Sequence, residues 1–161
     1  MAKPDRTIPG IAFVLGNGES RKGIEINDLK KKGTVFACNA VYRTDNPHYL
    51  IAVDPKMMME IAESDYMQHN QVWTNFNAQY NKVKKILDYA KWFQPSLGWS
   101  SGPTALRMAC ERKHPEIYIQ VLTIKDIEMK NMLIERCLIT CIKTLVTTKR
   151  VQKRVPFMVT G

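Results

Sequence analysis

Long apolar runs are missing from this chain of 161 residues. None is long enough to span a bilayer, so no membrane anchorage is expected. The amino-terminal Met1-Ala2-Lys3-Pro4-Asp5-Arg6 has no hydrophobic region behind its charges, which argues against a secretory signal and for a cytoplasmic protein. Cysteine is also scarce. The four cysteines, Cys38, Cys110, Cys137 and Cys141, form neither CxxC pairs nor a dense framework, which excludes a disulfide scaffold. Cys38 and Cys110 sit in apolar segments and read as buried reduced thiols. Cys137 and Cys141 stand i, i+4 on a predicted helix, but their neighbours complete no metal-ligand set. No residue stands out as a general base: His48 follows Pro47 at a strand entry, and His69 and His114 lie beside predicted turns.

Acidic residues are fewer than basic ones, and the net charge is +9. The excess is unevenly spread. Residues 1–119 hold 16 basic and 12 acidic side chains, whereas residues 120–161 hold 8 and 3. The longer part is thus only mildly basic, which suits a phosphate-bearing small ligand as well as a polymer. Lys30-Lys31-Lys32 closes a predicted helix, where cations complement the dipole.

What the chain does have is a strand that ends abruptly in glycine. Ile11-Ala12-Phe13-Val14-Leu15 runs into Gly16-Asn17-Gly18-Glu19-Ser20-Arg21, and a helical pattern follows. Glycines let the backbone approach an anion closely, and free N–H groups at a helix start favour negative charge. Ser20 adds a hydroxyl and Arg21 a guanidinium fork. The same Gly-Asn-Gly suits a plain strand-to-helix turn.

Further along, Ile24 to Leu29 with its lysines reads as a short helix stopped by Gly33, and Thr34 to Cys38 as a second strand. Tyr49 to Asp54 is a third strand and Met57 to Ser64 a helix. Gln71 to Thr74 is a short strand. Tyr80 to Phe93 is expected as one amphipathic helix with Val83, Ile86, Leu87 and Ala90 inward. Ser100 to Thr104 opens another helix, and Glu116 to Val121 is a last strand. Near-continuous apolar strands alternating with helices predict an α/β fold, a three-layer sandwich around a mostly parallel sheet. The organisation expected is an extension over 1–9, one domain over 10–122 and an atypical basic segment over 123–161.

In such sheets ligands bind beyond the carboxyl ends of the strands, so the residues that follow each strand are the candidates. Asn39 is placed to hold a ribose or a backbone group, with Tyr42 beside it and Arg43 for a phosphate. Asp54 closes a strand and suits Mg²⁺ or a ribose hydroxyl, or else caps the helix after Pro55. Ser101, Gly102 and Thr104 form a helix start able to receive an anion, or a simple N-cap.

Taken together, Gly16-Asn17-Gly18-Glu19-Ser20-Arg21, Cys38-Asn39-Ala40-Val41-Tyr42-Arg43, Pro47 to Asp54 and Ser101-Gly102-Pro103-Thr104-Ala105-Leu106 resemble a group of tailed-phage proteins. These are in turn similar to the 6-hydroxymethylpterin diphosphokinase-like and glycosyltransferase-like Rossmann families. The resemblance covers roughly residues 10–119. It implies a Rossmann-like domain binding a nucleotide or nucleotide-sugar, with Gly16, Asn17, Gly18, Ser20, Asn39, Asp54, Ser101 and Gly102 at the ligand and acidic residues holding Mg²⁺.

The resemblance stops after Ile119. The family pattern continues into Gly-Phe-Asp, whereas this chain reads Gln120-Val121-Leu122-Thr123-Ile124-Lys125-Asp126. Permissible codons read from the third base of the Gln120 codon restore Gly-Phe-Asp at that place. A shifted coding frame from about Gln120 is therefore expected. The other reading is a divergent helix over Ile127 to Lys149, striped by Met129, Leu133, Cys137, Ile142 and Leu145.

Three functions fit this sequence. The first is a nucleotide-binding domain acting on a diphosphate or glycosyl bond with Mg²⁺, and the second is a binder that does not turn its ligand over. The third is a nucleic-acid-associated or virion protein using Trp73, Tyr80, Tyr89, Trp92, Phe93 and Trp99 near Lys82, Lys84, Lys85 and Lys91. At helical spacing those aromatics read mainly as core and the lysines as a solvated face.

Overall fold

Apolar strands too short to stand alone associate here into one sheet. The computed structural model describes residues 10–17 and 23–120. Gly18, Ser20, Arg21, Cys137, Cys141, the 1–9 extension and the segment beyond Gln120 lie outside the described residues. The strands are β1 (Ile11–Leu15), β2 (Thr34–Cys38), β3 (Tyr49–Ile51), β4 (Val72–Thr74), β5 (Lys91–Trp92) and β6 (Glu116–Gln120). The helices are α1 (Ile26–Lys32), α2 (Pro55–Glu63), α3 (Tyr66–His69), α4 (Lys84–Tyr89) and α5 (Ser101–Glu111). A 3-10 turn, Asn39–Arg43, follows β2 directly.

The six strands lie in the order β5-β4-β3-β2-β1-β6, every pair parallel. This is the α/β Rossmann-like arrangement expected of the sequence. From β1 to β5 the chain steps in one direction, and right-handed crossovers put the intervening helices on one face. The return to β6 on the far side of β1 reverses the direction and puts α5 on the other face. The packing follows this rule. One buried cluster joins Leu15, Val35, Ala37, Leu50 and Val72 to Ile26 of α1, Met58 and Ile61 of α2, Met67 of α3 and Ile86 of α4. The other joins Ala12, Val14, Phe36, Cys38, Tyr49 and Ile51 to Ala105, Leu106, Met108 and Ala109 of α5. All five residues of β2 are buried, as a central parallel strand covered on both faces requires.

Gly33, the C-cap of α1, holds its place by size rather than by conformation. A Cβ there would lie 2.1 Å from the Ile11 carbonyl oxygen, because β1 passes directly against the end of α1.

The expected helix over Tyr80 to Phe93 is corrected by the structure. A turn spans residues 78–82, α4 covers only six residues, and the chain then extends into β5. Val83 and Ala90, the two capping residues, are both extended, with ψ of 114° and 148°. Parallel pairing of Trp73 with Lys91 and Thr74 with Trp92 draws the end of the apolar pattern into the sheet. Ile86 and Ala90 point inward as expected, but Leu87 is 52% exposed. The third strand is also shorter than expected. It ends at Ile51, although Ala52 N–H still donates to the Trp73 carbonyl at 3.1 Å.

Candidate functional site

The carboxyl ends of β1 to β4 share one edge, and their polar followers lie along it. Leu15 pairs with Ala37, so Gly16 and Asn39 leave the sheet from neighbouring strands. Gly16 is buried and Asn17 exposed. Asn39 has φ of 53°, a left-handed conformation that asparagine tolerates better than most residues. Its side chain is held from across the sheet. Ser101 Oγ donates to Asn39 Oδ1 at 2.9 Å and accepts from Val53 N–H at 3.1 Å. One hydroxyl therefore joins the followers of β2 and β3 to the first turn of α5.

That first turn is buried from Ser101 through Thr104. Ser100, the N-cap residue, makes no side-chain cap. Thr104 instead turns its hydroxyl back onto the Ser100 carbonyl at 2.8 Å, and its N–H bonds the same oxygen at 3.1 Å. Pro103 has no N–H. Ser101 and Gly102 are left as the two backbone donors that have no acceptor within the helix.

Other expected site residues are engaged with α2. Tyr42 and Arg43 converge on Glu60 of α2. Tyr42 OH donates to Glu60 Oε1 at 2.5 Å, and Arg43 forks onto both carboxylate oxygens at 2.7 and 2.6 Å. Hydrogen bonds from Arg43 and Tyr42 hold the Glu60 carboxyl well below the usual range, at about 2. Burial, with Glu60 adding to it, pushes the Tyr42 hydroxyl up. Glu60 thus engages Arg43 through Nε and Nη2, and the Arg43 side chain stays half-exposed. Tyr42 also packs against Tyr66, on the α1–α4 face of the sheet.

Asp54 realises the capping alternative: its Oδ1 accepts the Met57 N–H at 3.1 Å at the start of α2, with Pro55 in the first turn. Among the described residues no three of His, Cys, Asp and Glu come together as metal ligands. Mg²⁺ is held by one or two carboxylates together with ligand phosphates, and Asp54 offers one, exposed and engaged through Oδ1 in the cap.

The residues that follow β4 form a polar cluster not expected from the sequence. Tyr80 is buried, and its hydroxyl meets Thr74 Oγ1 at 2.8 Å, the Asn75 carbonyl at 2.9 Å and, more distantly, the Val53 carbonyl at 3.5 Å. Burial first, and the nearby Asp54 charge next, push the Tyr80 hydroxyl up. Thr74-Asn75 directly after an apolar strand was the available signal.

Compared with family models, curated proteins and solved structures, the chain matches none. Among the described residues no helix is long and apolar enough to cross a membrane.

The histidines stand away from the carboxyl edge. His48 Nδ1 accepts the Val35 N–H at 2.9 Å, at the entry of β2. His114 is buried, lies edge-on to Phe36 and bonds the Gly10 carbonyl through Nδ1 at 3.0 Å. Of the aromatic residues read as an alternative polymer surface, Tyr80 and Phe93 are core, and Trp73 packs against Phe93. Lys84 pairs with Asp88.

Proposed function

We propose that the chain binds a nucleotide or nucleotide-sugar through its phosphates at the carboxyl edge of the sheet, around the turn after β1 and the first turn of α5. The observation that carries this reading is the single reversal of strand order. It falls between β1 and β6, and parallel α/β sheets bind their ligands at such a reversal, which puts Gly16 and Asn17 forward as the ligand's neighbours. Gly16 and the Ser101 and Gly102 N–H groups supply close backbone approach and donors for an anion. Ser20 and Arg21, by sequence, complete the phosphate contacts. The resemblance to diphosphokinase-like and glycosyltransferase-like proteins supports it too.

Calorimetric titration of the full chain with inorganic pyrophosphate and ADP tests the proposal. Saturable binding of both is expected, weakened about tenfold by Arg21→Ala through loss of one charge-assisted contact. A folded chain that binds neither overturns it.

A further inference from the structure

Packing does not account for two side chains just past β4. Asn75 is only 4% exposed, yet its side-chain Oδ1 is buried without a hydrogen-bond partner among the described residues. The backbone carbonyl of the same residue is served by Tyr80 OH at 2.9 Å. Buried polar atoms are almost always paired; Asn75 Oδ1 is one of three such orphans among the described residues, with Asn81 Oδ1 and His114 Nε2, and it is the one that directly follows a strand at the ligand edge, where a donor from outside the chain can serve it. Its neighbour Phe76 breaks the opposite rule. It is 65% exposed, more than any other large apolar side chain described, and keeps one ring contact, with Trp92 at 6.5 Å.

These two residues leave the sheet at the edge that carries Gly16, Asn39 and Ser101. Hydrogen bonds run along that edge from Asn39 through Ser101 to the Val53 backbone, and from Val53 through Tyr80 to Asn75. Between β1 and β4 lie three strand spacings, roughly 14 Å. A nucleoside diphosphate bridges such a span from phosphates to base.

Resting on the phosphate-edge reading above, we propose that Asn75 and Phe76 hold the base of the bound nucleotide. Phe76 stacks on the base, and the Asn75 side chain, whose Oδ1 is covered in the ligand-free chain, turns outward so that Oδ1 accepts a hydrogen bond from an exocyclic amino group. The ligand class narrows to nucleotides with an amino-bearing base.

The test uses the full chain with three probes: inorganic pyrophosphate, ADP and UDP. ADP is expected to bind at least tenfold tighter than pyrophosphate, with UDP closer to pyrophosphate. Phe76→Ala is expected to weaken ADP about tenfold through lost stacking and to leave pyrophosphate unchanged. Asn75→Leu is expected to do the same. In the ligand-free chain it is also expected to hold or raise the melting temperature, because it removes a buried unpaired acceptor. Asn75 is not among the residues with positive φ, so leucine meets no backbone strain there. A fall in melting temperature for Asn75→Leu means that the oxygen has an internal partner, such as a structural water, and overturns the proposal. Equal affinity for ADP and pyrophosphate or for ADP and UDP, or variants that keep the ADP preference, overturn it while the phosphate reading stands. Failure of pyrophosphate and ADP alike overturns both.

Discussion

Ser101 donates its hydroxyl proton to Asn39 Oδ1, 62 positions away in sequence, and in the same geometry accepts the Val53 N–H. A helix start and two strand ends thus depend on one oxygen. Ser101→Ala leaves the Val53 N–H without this acceptor and is expected to cost ~1–3 kcal/mol in urea unfolding. At Asn39 the backbone decides the ranking. Asn39→Gly loses the hydrogen bond alone, whereas Asn39→Ala also carries the left-handed strain and is expected to be ~1 kcal/mol less stable than the glycine variant. Equal stabilities for the two would contradict the left-handed conformation.

Gly33→Ala is expected to be among the most damaging single-methyl additions in the chain. The new Cβ would press on the Ile11 carbonyl, and neither β1 nor the end of α1 can move without disturbing β2. A loss of ~2–3 kcal/mol, the range for overpacked sites, is expected in chemical denaturation. A loss under ~0.5 kcal/mol would show that the two segments separate easily.

Arg107 is 6% exposed and holds together the segment between β5 and α5. It donates to the Pro95 carbonyl at 2.7 Å, the Gln94 carbonyl at 3.3 Å and Glu111 at 2.7 Å, and lies over the Phe93 ring. Arg107→Ala is expected to cost ~1–3 kcal/mol, chiefly by unpairing the Pro95 and Gln94 carbonyls, since Glu111 is exposed to solvent. Arg107→Lys is expected to recover little, since an ammonium lacks the planar fork. Denaturant midpoints of the two variants check the ranking.

Lys113 occupies a left-handed position, φ 60°, just after α5, with its N–H on the Cys110 carbonyl at 2.9 Å. Glycine usually fills such a position. Lys113→Gly is expected to stabilise the chain by ~0.5–1 kcal/mol, read as a raised melting temperature. A lowered one would mean that the lysine side chain contributes more than its backbone strain costs.

Two histidines make the fold acid-sensitive. His48 must keep Nδ1 unprotonated to accept the Val35 N–H, whereas His114 must keep a proton on Nδ1 to donate to the Gly10 carbonyl. Burial comes first in lowering both pKa values, with Lys30 adding to it at His48 and Arg112 at His114. A lowered folded-state pKa means that stability is complete above the unfolded value of about 6.5 and is lost as pH falls below it. Urea midpoints are expected to drop between pH 7.5 and pH 5. The drop should shrink in His48→Gln, whose amide oxygen can accept the same N–H without titrating. A flat profile would contradict the neutral assignment.

The sequence was most readable where one signal acted alone. β1 and β2 are five-residue apolar runs bracketed by glycine or asparagine, and both begin and end where that pattern says. Asn39 and Ser101 were each visible as a polar residue at the end of an element. Their bond was not, because the reversal at β6 that brings α5 over β2 and β3 is a property of the whole sheet. Arg43 had the right type and place for a phosphate, but its carboxylate partner, Glu60, arrives from α2. Val83, Ile86, Leu87 and Ala90 fit a helical period, yet β4 offers an open edge that captures the chain at Lys91, and edge pairing outweighs a six-residue helix. Asn75 escaped notice because its oddity, burial without a partner, exists only after folding.

The most direct test of the account is amide chemical-shift mapping of the full chain titrated with ADP. Shifts are expected to cluster at Gly16, Asn17, Asn39, Ser101 and Gly102, with a second group at Asn75 and Phe76. Shifts confined to the opposite edge of the sheet, around Gly10, Lys113 and His114, or no shifts at all in a folded chain, would contradict the assignment of the carboxyl edge as the ligand site.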